Sequence, residues 1–390
     1  MTATDNGKKF RVIFSFVEAG YGHVAPMMAM ADAFEKKYGD CCEIVRWYIF
    51  RDSKHPVVRK YGKGLANDTR RLHKSWTYSL LEHTGSVLMG RRGSLAMTDF
   101  LSASARKKAM QDIAEMNPDM FVSSYYSPAH FAMQARRKYN LNYPVVSYSP
   151  DPFIYNVWDR KLDDIDLFVV NNDRAYSQGL KTGLPMQNMR KVPFVARNKP
   201  SGLSKRELRE KLNLPVDKFT AVLTDGGYAL GKMERTAREL VKADVPLTVV
   251  AVCGENSELR RKIASWQVNE NVTLVSLGFV NNLQEYISAS DLVIGKGGSN
   301  TICECMISST PMVVNHFGGM LEKITAKYYM EECGQGVIIT DKKKLCEFVN
   351  RCAKDPSVLK QYADNTVNQR TDGAEVMADL LYSHLLNCNN

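Results

Sequence analysis

Residues 291–319, DLVIGKGGSNTICECMISSTPMVVNHFGG, decide how this chain is read. An apolar run, Leu292 to Ile294, leads into Gly295-Lys296-Gly297-Gly298-Ser299-Asn300-Thr301. A helical pattern follows to Met306, Pro311 stops it, and Met312 to Val314 form a second apolar run. The order is strand, glycine turn, helix, strand. Glycines let backbone amides come close to a ligand, and a helix beginning near Ser299 or Thr301 presents unpaired N–H groups and a positive dipole end to an anion. A phosphate suits that turn. Glu304, about one turn into the helix, puts a carboxylate where two adjacent sugar hydroxyls can donate to it, as the acidic residue of dinucleotide folds does with ribose. Together these features indicate a nucleotide or nucleotide sugar; without a ligand the same residues make an ordinary strand-to-helix turn with a surface glutamate.

Outward from this stretch, 390 residues exceed one average core and predict two domains of about 150 to 200 residues each. A hydrophobic content of 44% with 24% charged residues is that of a soluble globular chain, and no apolar run approaches the roughly 20 residues of a membrane-spanning helix. The polar start MTATDNGKK lacks the apolar core of a signal peptide, so a cytoplasmic location is expected. Nine cysteines include Cys41-Cys42 and Cys303-x-Cys305 but no CxxC and no Cys/His spacing suited to zinc, which predicts reduced thiols and no metal centre. The formal charge of +10 favours anionic partners.

Strand, turn and helix alternate along the chain. FRVIFSFV (Phe10 to Val17) is followed by Glu18-Ala19-Gly20-Tyr21-Gly22-His23, with Pro26 expected at the head of a helix from Met27 to Tyr38. His23 then falls at the carboxyl end of the first strand, the edge where ligands bind in open α/β sheets. Residues 51–92 are basic and aromatic: RKYGKG, RRLHKSW and MGRRG, interleaved with Trp76, Tyr78, Leu80, Leu81, Val87 and Leu88. That composition suits contact with an anionic bilayer, or a solvated charged face over ordinary core. Further strands and helices lead to Ser149-Pro150-Asp151-Pro152-Phe153, with Trp158 and Asp159 beyond it. VPFVARNKPSGL (Val192 to Leu203) reads as a linker, after which the alternation begins again. In the second half Asp225-Gly226-Gly227-Tyr228-Ala229-Leu230-Gly231-Lys232-Met233 nearly matches a P-loop, but Met233 stands where the magnesium-binding hydroxyl belongs. It is read as a second phosphate-facing turn. Residues from Leu359 to Leu386 are expected to be helical.

On the strand with its GYGH turn, SPDPFIYNVW, DLFVVNN, DGGYALGKM, VVAVCGEN, LGFVNN and GKGGSNTICE, in this order and spacing, the chain resembles the inverting, family 28-like glycosyltransferases of the GT-B fold. The likeness is to the monogalactosyldiacylglycerol synthases and processive diacylglycerol glucosyltransferases, and it covers most of the chain. It implies an α/β protein of two Rossmann-like domains with parallel sheets facing across a cleft. Residues 1–197 would bind the acceptor, residues 198–365 the UDP-sugar, and residues 366–390 would form a helix returning to the first domain. The donor implied is UDP-glucose or UDP-galactose. Glu304 would hold the ribose hydroxyls, Gly297, Gly298, Ser299 and Asn300 the diphosphate, Gly226 and Gly227 the same phosphates, and Phe279 with Val280 the uracil. Glu322 falls where the family contacts the donor sugar, although Leu321 and Thr325 replace the glutamine and asparagine of that motif.

The chemistry expected is abstraction of the acceptor's proton by His23, oriented by Asp151 or with Asp151 as the base, and stabilisation of departing UDP by amides and helix dipole with no obligatory metal. Expected partners are a UDP-sugar, a lipid or other hydrophobic acceptor and an anionic membrane surface, with no nucleic acid. The protein would work peripherally, on the inner face of the membrane. Two alternatives share the architecture: a UDP-sugar 2-epimerase, which needs no acceptor, and a non-catalytic UDP- or lipid-binding protein.

Overall fold

Short runs such as MFVS, LFVV, FTAVLT and LTVVAV are buried along their whole length, as strands covered on both faces must be. The computed structural model describes residues 9–18, 21–74, 100, 102–154, 164–227, 229 and 231–389. They divide into two units, one of residues 9–18, 21–71, 100, 102–154, 164–197 and 372–389, the other of residues 72–74, 198–227, 229 and 231–371.

In the first unit the strands are β1 (Phe10–Phe16), β2 (Cys42–Tyr48), β3 (Met120–Ser123), β4 (Val145–Ser149), β5 (Leu167–Val170) and β6 (Met189–Lys191). They form a parallel sheet in the order β2-β1-β3-β4-β5-β6. Helices α1 (Tyr21–Tyr38), α2 (Pro56–Lys74), α3 (residues 102–116), α4 (Tyr126–Tyr139) and α5 (Asp173–Lys181) cover it. Alternate residues of β1 serve the two faces: Ile13 joins Phe121, Phe131 and Phe168 in one core, whereas Val12, Phe14 and Phe16 join Phe34 and Val122 in the other.

The second unit repeats the plan with β7 (Phe219–Thr224), β8 (Leu247–Val252), β9 (Val272–Leu277), β10 (Leu292–Lys296), β11 (Met312–His316) and β12 (Gly336–Ile338), ordered β12-β11-β10-β7-β8-β9. Its helices are α6 (Lys205–Lys211), α7 (Met233–Leu240), α8 (Ser257–Ala264), α9 (Leu283–Ala289), α10 (Ser299–Ile307), α11 (Met320–Ala326), α12 (Lys342–Lys354) and α13 (Lys360–Asp364). The chain then re-enters the first unit as α14 (Gly373–Asn389). There Met377, Leu381 and Leu385 are buried with Phe34, Tyr382 stacks on Tyr38 at 4.0 Å, and Asp379 pairs with Lys37 at 2.8 Å.

One device recurs at the amino ends of the strands. Asp119 before β3, Asp166 before β5 and Asp291 before β10 each accept the first free N–H of the neighbouring strand, on Arg11 (2.6 Å), Val145 (2.8 Å) and Thr220 (2.8 Å). Asp291 also takes Arg209 Nη2 at 2.6 Å, so a single carboxylate ties α6 to the sheet. The amino edge is thereby spent on stability, and the carboxyl edge is left for ligands. Strand order reverses between β1 and β3 in the first sheet and between β7 and β10 in the second. Loops leaving those strands diverge, and ligands of doubly wound folds sit in the crevice this opens.

Some sequence expectations need correction. Helix α1 starts at Tyr21, so His23 lies in its first turn and Pro26 inside the helix; that proline forfeits only the bond to the Gly22 carbonyl, near an end whose first amides are unpaired in any case. The tail is not one helix: α13 ends at Asp364 and α14 begins at Gly373. At Gly373 a Cβ would sit 2.2 Å from the Phe194 carbonyl oxygen, so the chain enters α14 pressed against residues 193–194, in a turn only glycine fits. Strands β6 and β12, three residues each, and α12 went unread; β6 precedes the segment taken as linker. Trp76, Tyr78, Leu80, Leu81, Val87, Leu88, Trp158, Asp159, Tyr228 and Leu230 lie outside the described residues.

Candidate functional site

On the second sheet, the expected nucleotide-binding residues all fall at carboxyl ends of strands or in the helices that follow. Reading across the sheet, Phe279 and Val280 follow β9, Gly226 and Gly227 follow β7, Gly297 to Glu304 follow β10, and Glu322 lies in α11 after β11. The glycine turns thus flank the reversal point directly, and Phe279, 45% exposed, stands two strands to one side of β7. Gly226 has φ +75°, open to glycine at little cost. Gly254 closes against the same turn: a Cβ there would lie 2.1 Å from the Gly227 oxygen, which accepts the Glu255 amide at 2.8 Å.

The two helices beside the reversal point begin differently. At α7 the Asp225 carboxylate accepts the Met233 amide at 2.9 Å and closes the helix end. At α10 the N-cap is Gly298, which has no side chain to do the same. The positive end of α10 is therefore the one suited to an external anion. Glu304 lies in its second turn, half-buried, its carbonyl held by Gln284 Nε2 at 3.0 Å.

Beneath these turns lies a cluster of charged side chains that sequence reading missed. Lys296 ends β10 and donates to Glu322 Oε1 at 2.6 Å, and the other oxygen of Glu322 accepts the Gly318 amide at 2.6 Å. The register between β10 and β11 skips Asn315, which sets His316 opposite Lys296; an extra residue of this kind re-aims side chains at a strand end. His316 Nδ1 bonds Asn315 Oδ1 at 2.7 Å, and its Nε2 lies 3.6 Å from Asp225 Oδ1. Burial raises the Asp225 carboxyl above the usual carboxylate range and lowers the His316 imidazole. Both shifts favour the neutral forms. Gly231 completes the packing, since a Cβ there would lie 2.2 Å from His316 Nε2 and 2.3 Å from Asp225 Oδ2. The signal was available in GKGG and in the polar pair closing MVVNH, but it takes the fold to bring them together.

On the first sheet, His23 and Asp151 come into electrostatic range at the same kind of edge. His23, in the first turn of α1 after β1, is half-buried; its carbonyl accepts the Ser124 hydroxyl at 2.9 Å, and its ring meets Tyr125 edge-on at 5.0 Å. Asp151 follows β4 in a loop fixed by two asparagines at the end of β5: Asn171 Nδ2 donates to the Pro150 carbonyl and Asn172 Nδ2 to the Asp151 carbonyl, both at 3.1 Å. Burial lowers the His23 imidazole below the ordinary histidine value, while the Asp151 charge and the Ser124 backbone pull it back up. The result is an imidazole neutral at physiological pH beside a carboxylate that stabilises its protonated form, the state a general base needs. Among the described residues no group of three or more His, Cys, Asp or Glu is placed to hold a metal ion.

Comparison with known proteins agrees with this fold. The glycosyltransferase SnogD from Streptomyces nogalater superposes with a TM-score of 0.62, at 16% identity over 97% of this chain and 100% of that one. MurG of Acinetobacter baumannii gives 0.60, at 14% identity over 96% and 99%. Residues 231–377 match the glycosyltransferase family 28 C-terminal domain. Two doubly wound units of this kind make the GT-B fold that these glycosyltransferases share. The chain is 24% identical to monogalactosyldiacylglycerol synthase 3 of Arabidopsis thaliana over 91% of its length and 77% of the relative's. It is 20% identical to the processive diacylglycerol β-glucosyltransferase of Staphylococcus saprophyticus over 93% and 88%. The match to the family 28 C-terminal domain and the likeness to these two groups of lipid-glycosylating enzymes support a sugar-transferring enzyme.

Proposed function

We propose that the protein transfers a hexose from UDP-glucose or UDP-galactose to the hydroxyl of a lipid acceptor of diacylglycerol type, inverting the anomeric centre and needing no obligatory metal ion. The observation that carries this reading is the pair of glycine turns at the reversal point of the second sheet, with α10 offering an N-terminus uncapped by its own Gly298. In this reading Gly226, Gly227, Gly297, Gly298, Ser299 and Asn300 cradle the diphosphate, Glu304 holds the ribose, and Phe279 with Val280 takes the uracil. Glu322 lies toward the donor sugar. His23 removes the acceptor's proton as its oxygen attacks the anomeric carbon, and Asp151 steadies the imidazolium. The bond from that carbon to the diphosphate breaks, and the amides of the glycine turns stabilise the charge on departing UDP. The names of the relatives support a glycolipid product.

A membrane-facing role draws support from α2, where Lys60 and Lys63 are exposed alongside Val57. Among the described residues no helix is long and apolar enough to cross a membrane. The test is a donor screen with diacylglycerol liposomes, with and without EDTA, read by mass spectrometry. A hexosyl-diacylglycerol formed equally with chelator present is expected. A new sugar nucleotide formed without acceptor would instead establish the epimerase, and tight UDP binding with neither product would establish a binding protein.

A further inference from the structure

Lys296 occupies a position that the packing has gone out of its way to create. Its stem passes between the two glycine turns: Lys296 Cε lies 3.3 Å from where a Cβ on Gly226 would stand and 3.7 Å from one on Gly298. A side chain at Gly226 would crowd that passage. Among the described residues the ammonium makes one hydrogen bond, to Glu322 at 2.6 Å, and the side chains are 22% and 15% exposed. An ammonium carries three donors, so two remain to serve something else at this edge.

Charge makes the same demand. Glu322 and Lys296 pair beneath the turns, while burial pushes Asp225 and His316 beside them toward their neutral forms. A diphosphate brought to the glycine amides would meet uncompensated negative charge unless a cation turned toward it, because screening by water is weak at a site this shielded. Glu322 is prepared for such a move, since its second oxygen keeps the Gly318 amide when the ammonium is shared.

We propose that Lys296 is the cationic ligand of the donor's diphosphate, dividing its ammonium between Glu322 and a phosphate oxygen. This rests on the nucleotide reading above. As the bond between the anomeric carbon and the diphosphate breaks, its electron pair passes to the phosphate oxygen, and the ammonium meets a charge larger than in the bound donor. Lys296 therefore acts on turnover as well as on binding.

The test is calorimetric titration of UDP and of uridine into the unsubstituted protein, K296M and E322Q, with circular dichroism melts as a check on folding. Methionine keeps the apolar stem, and the double variant K296M/E322Q replaces K296M if a stranded Glu322 prevents folding. UDP affinity should fall about 10- to 100-fold in K296M, the worth of a hydrogen bond to a charged group, while uridine affinity holds. In E322Q, with the competing carboxylate neutralised, UDP affinity should hold or rise. UDP binding retained in K296M, or lost equally in E322Q and K296M, would overturn the assignment while leaving the nucleotide reading intact. No heat with UDP from the unsubstituted protein would bring down both.

Discussion

The carboxyl edges of the two sheets have the same topology and opposite chemistry. Both lie where strand order reverses, and both are built from the turns that leave neighbouring parallel strands. The first edge presents side chains: a neutral histidine, a tyrosine ring set against it, and an aspartate on a loop that Asn171 and Asn172 hold in place. The second presents backbone, glycines whose missing side chains leave room for a ligand and for Lys296, over a shielded cluster of charge. A proton is best handled by a side chain whose pKa the surroundings can tune, and a polyphosphate by fixed amide dipoles that need no reorganisation. The proposed division of labour follows from what each edge is made of.

The most severe way to break the comparison is to remove the proposed base. His23→Ala should lower turnover by about 10²- to 10⁴-fold and leave UDP affinity untouched; turnover within about threefold of the unsubstituted enzyme would take His23 out of the mechanism. Next comes the floor of the other edge. Gly231→Ala drives a methyl into His316 and Asp225 and should destabilise the protein by about 1 to 3 kcal/mol, in the range of overpacked cores, with weaker UDP binding and an unchanged response to acceptor. An unaltered melt and unaltered UDP affinity would show that the cluster is not part of the nucleotide site.

A gentler probe is pH. Because burial lowers the His23 imidazole, the base stays neutral down to a pH below the ordinary histidine value of about 6.5, and the acid limb of kcat/KM should have its midpoint there. The same sign holds for folding: the unfolded chain takes up the proton more readily than the folded one, so stability falls as pH drops below that ordinary value. A midpoint above it would mean that Asp151 outweighs burial. The smallest effect expected is on α2. If its cations touch an anionic bilayer, activity should fall with added salt and on neutral liposomes, whereas equal rates would confine the exposed lysines to solubility.

Much of this was legible before the structure. Apolar runs ending in glycine turns announced two parallel α/β halves, because a strand buried on both faces and a helix start leave local signatures. The four-residue stretches MFVS and LFVV sufficed, being wholly apolar or nearly so. Strands β6 and β12 were not legible because three residues carry no period, and the single-helix reading of the tail failed because the break at Gly373 answers to the Phe194 carbonyl, far away in sequence. Along the second edge, GKGGSN and DGG marked two glycine turns, while Lys296 in the middle of the first motif had no role assigned to it. Its pairing with Glu322 and its nearness to Gly226 depend on α11 and β7, which no local pattern connects to it.

Titration of UDP into the unsubstituted protein and into His23→Ala tests the separation of the two edges most directly. The account predicts the same affinity from both, with turnover lost only in the variant. No binding by either protein, or binding abolished by the histidine substitution in a folded chain, would contradict it.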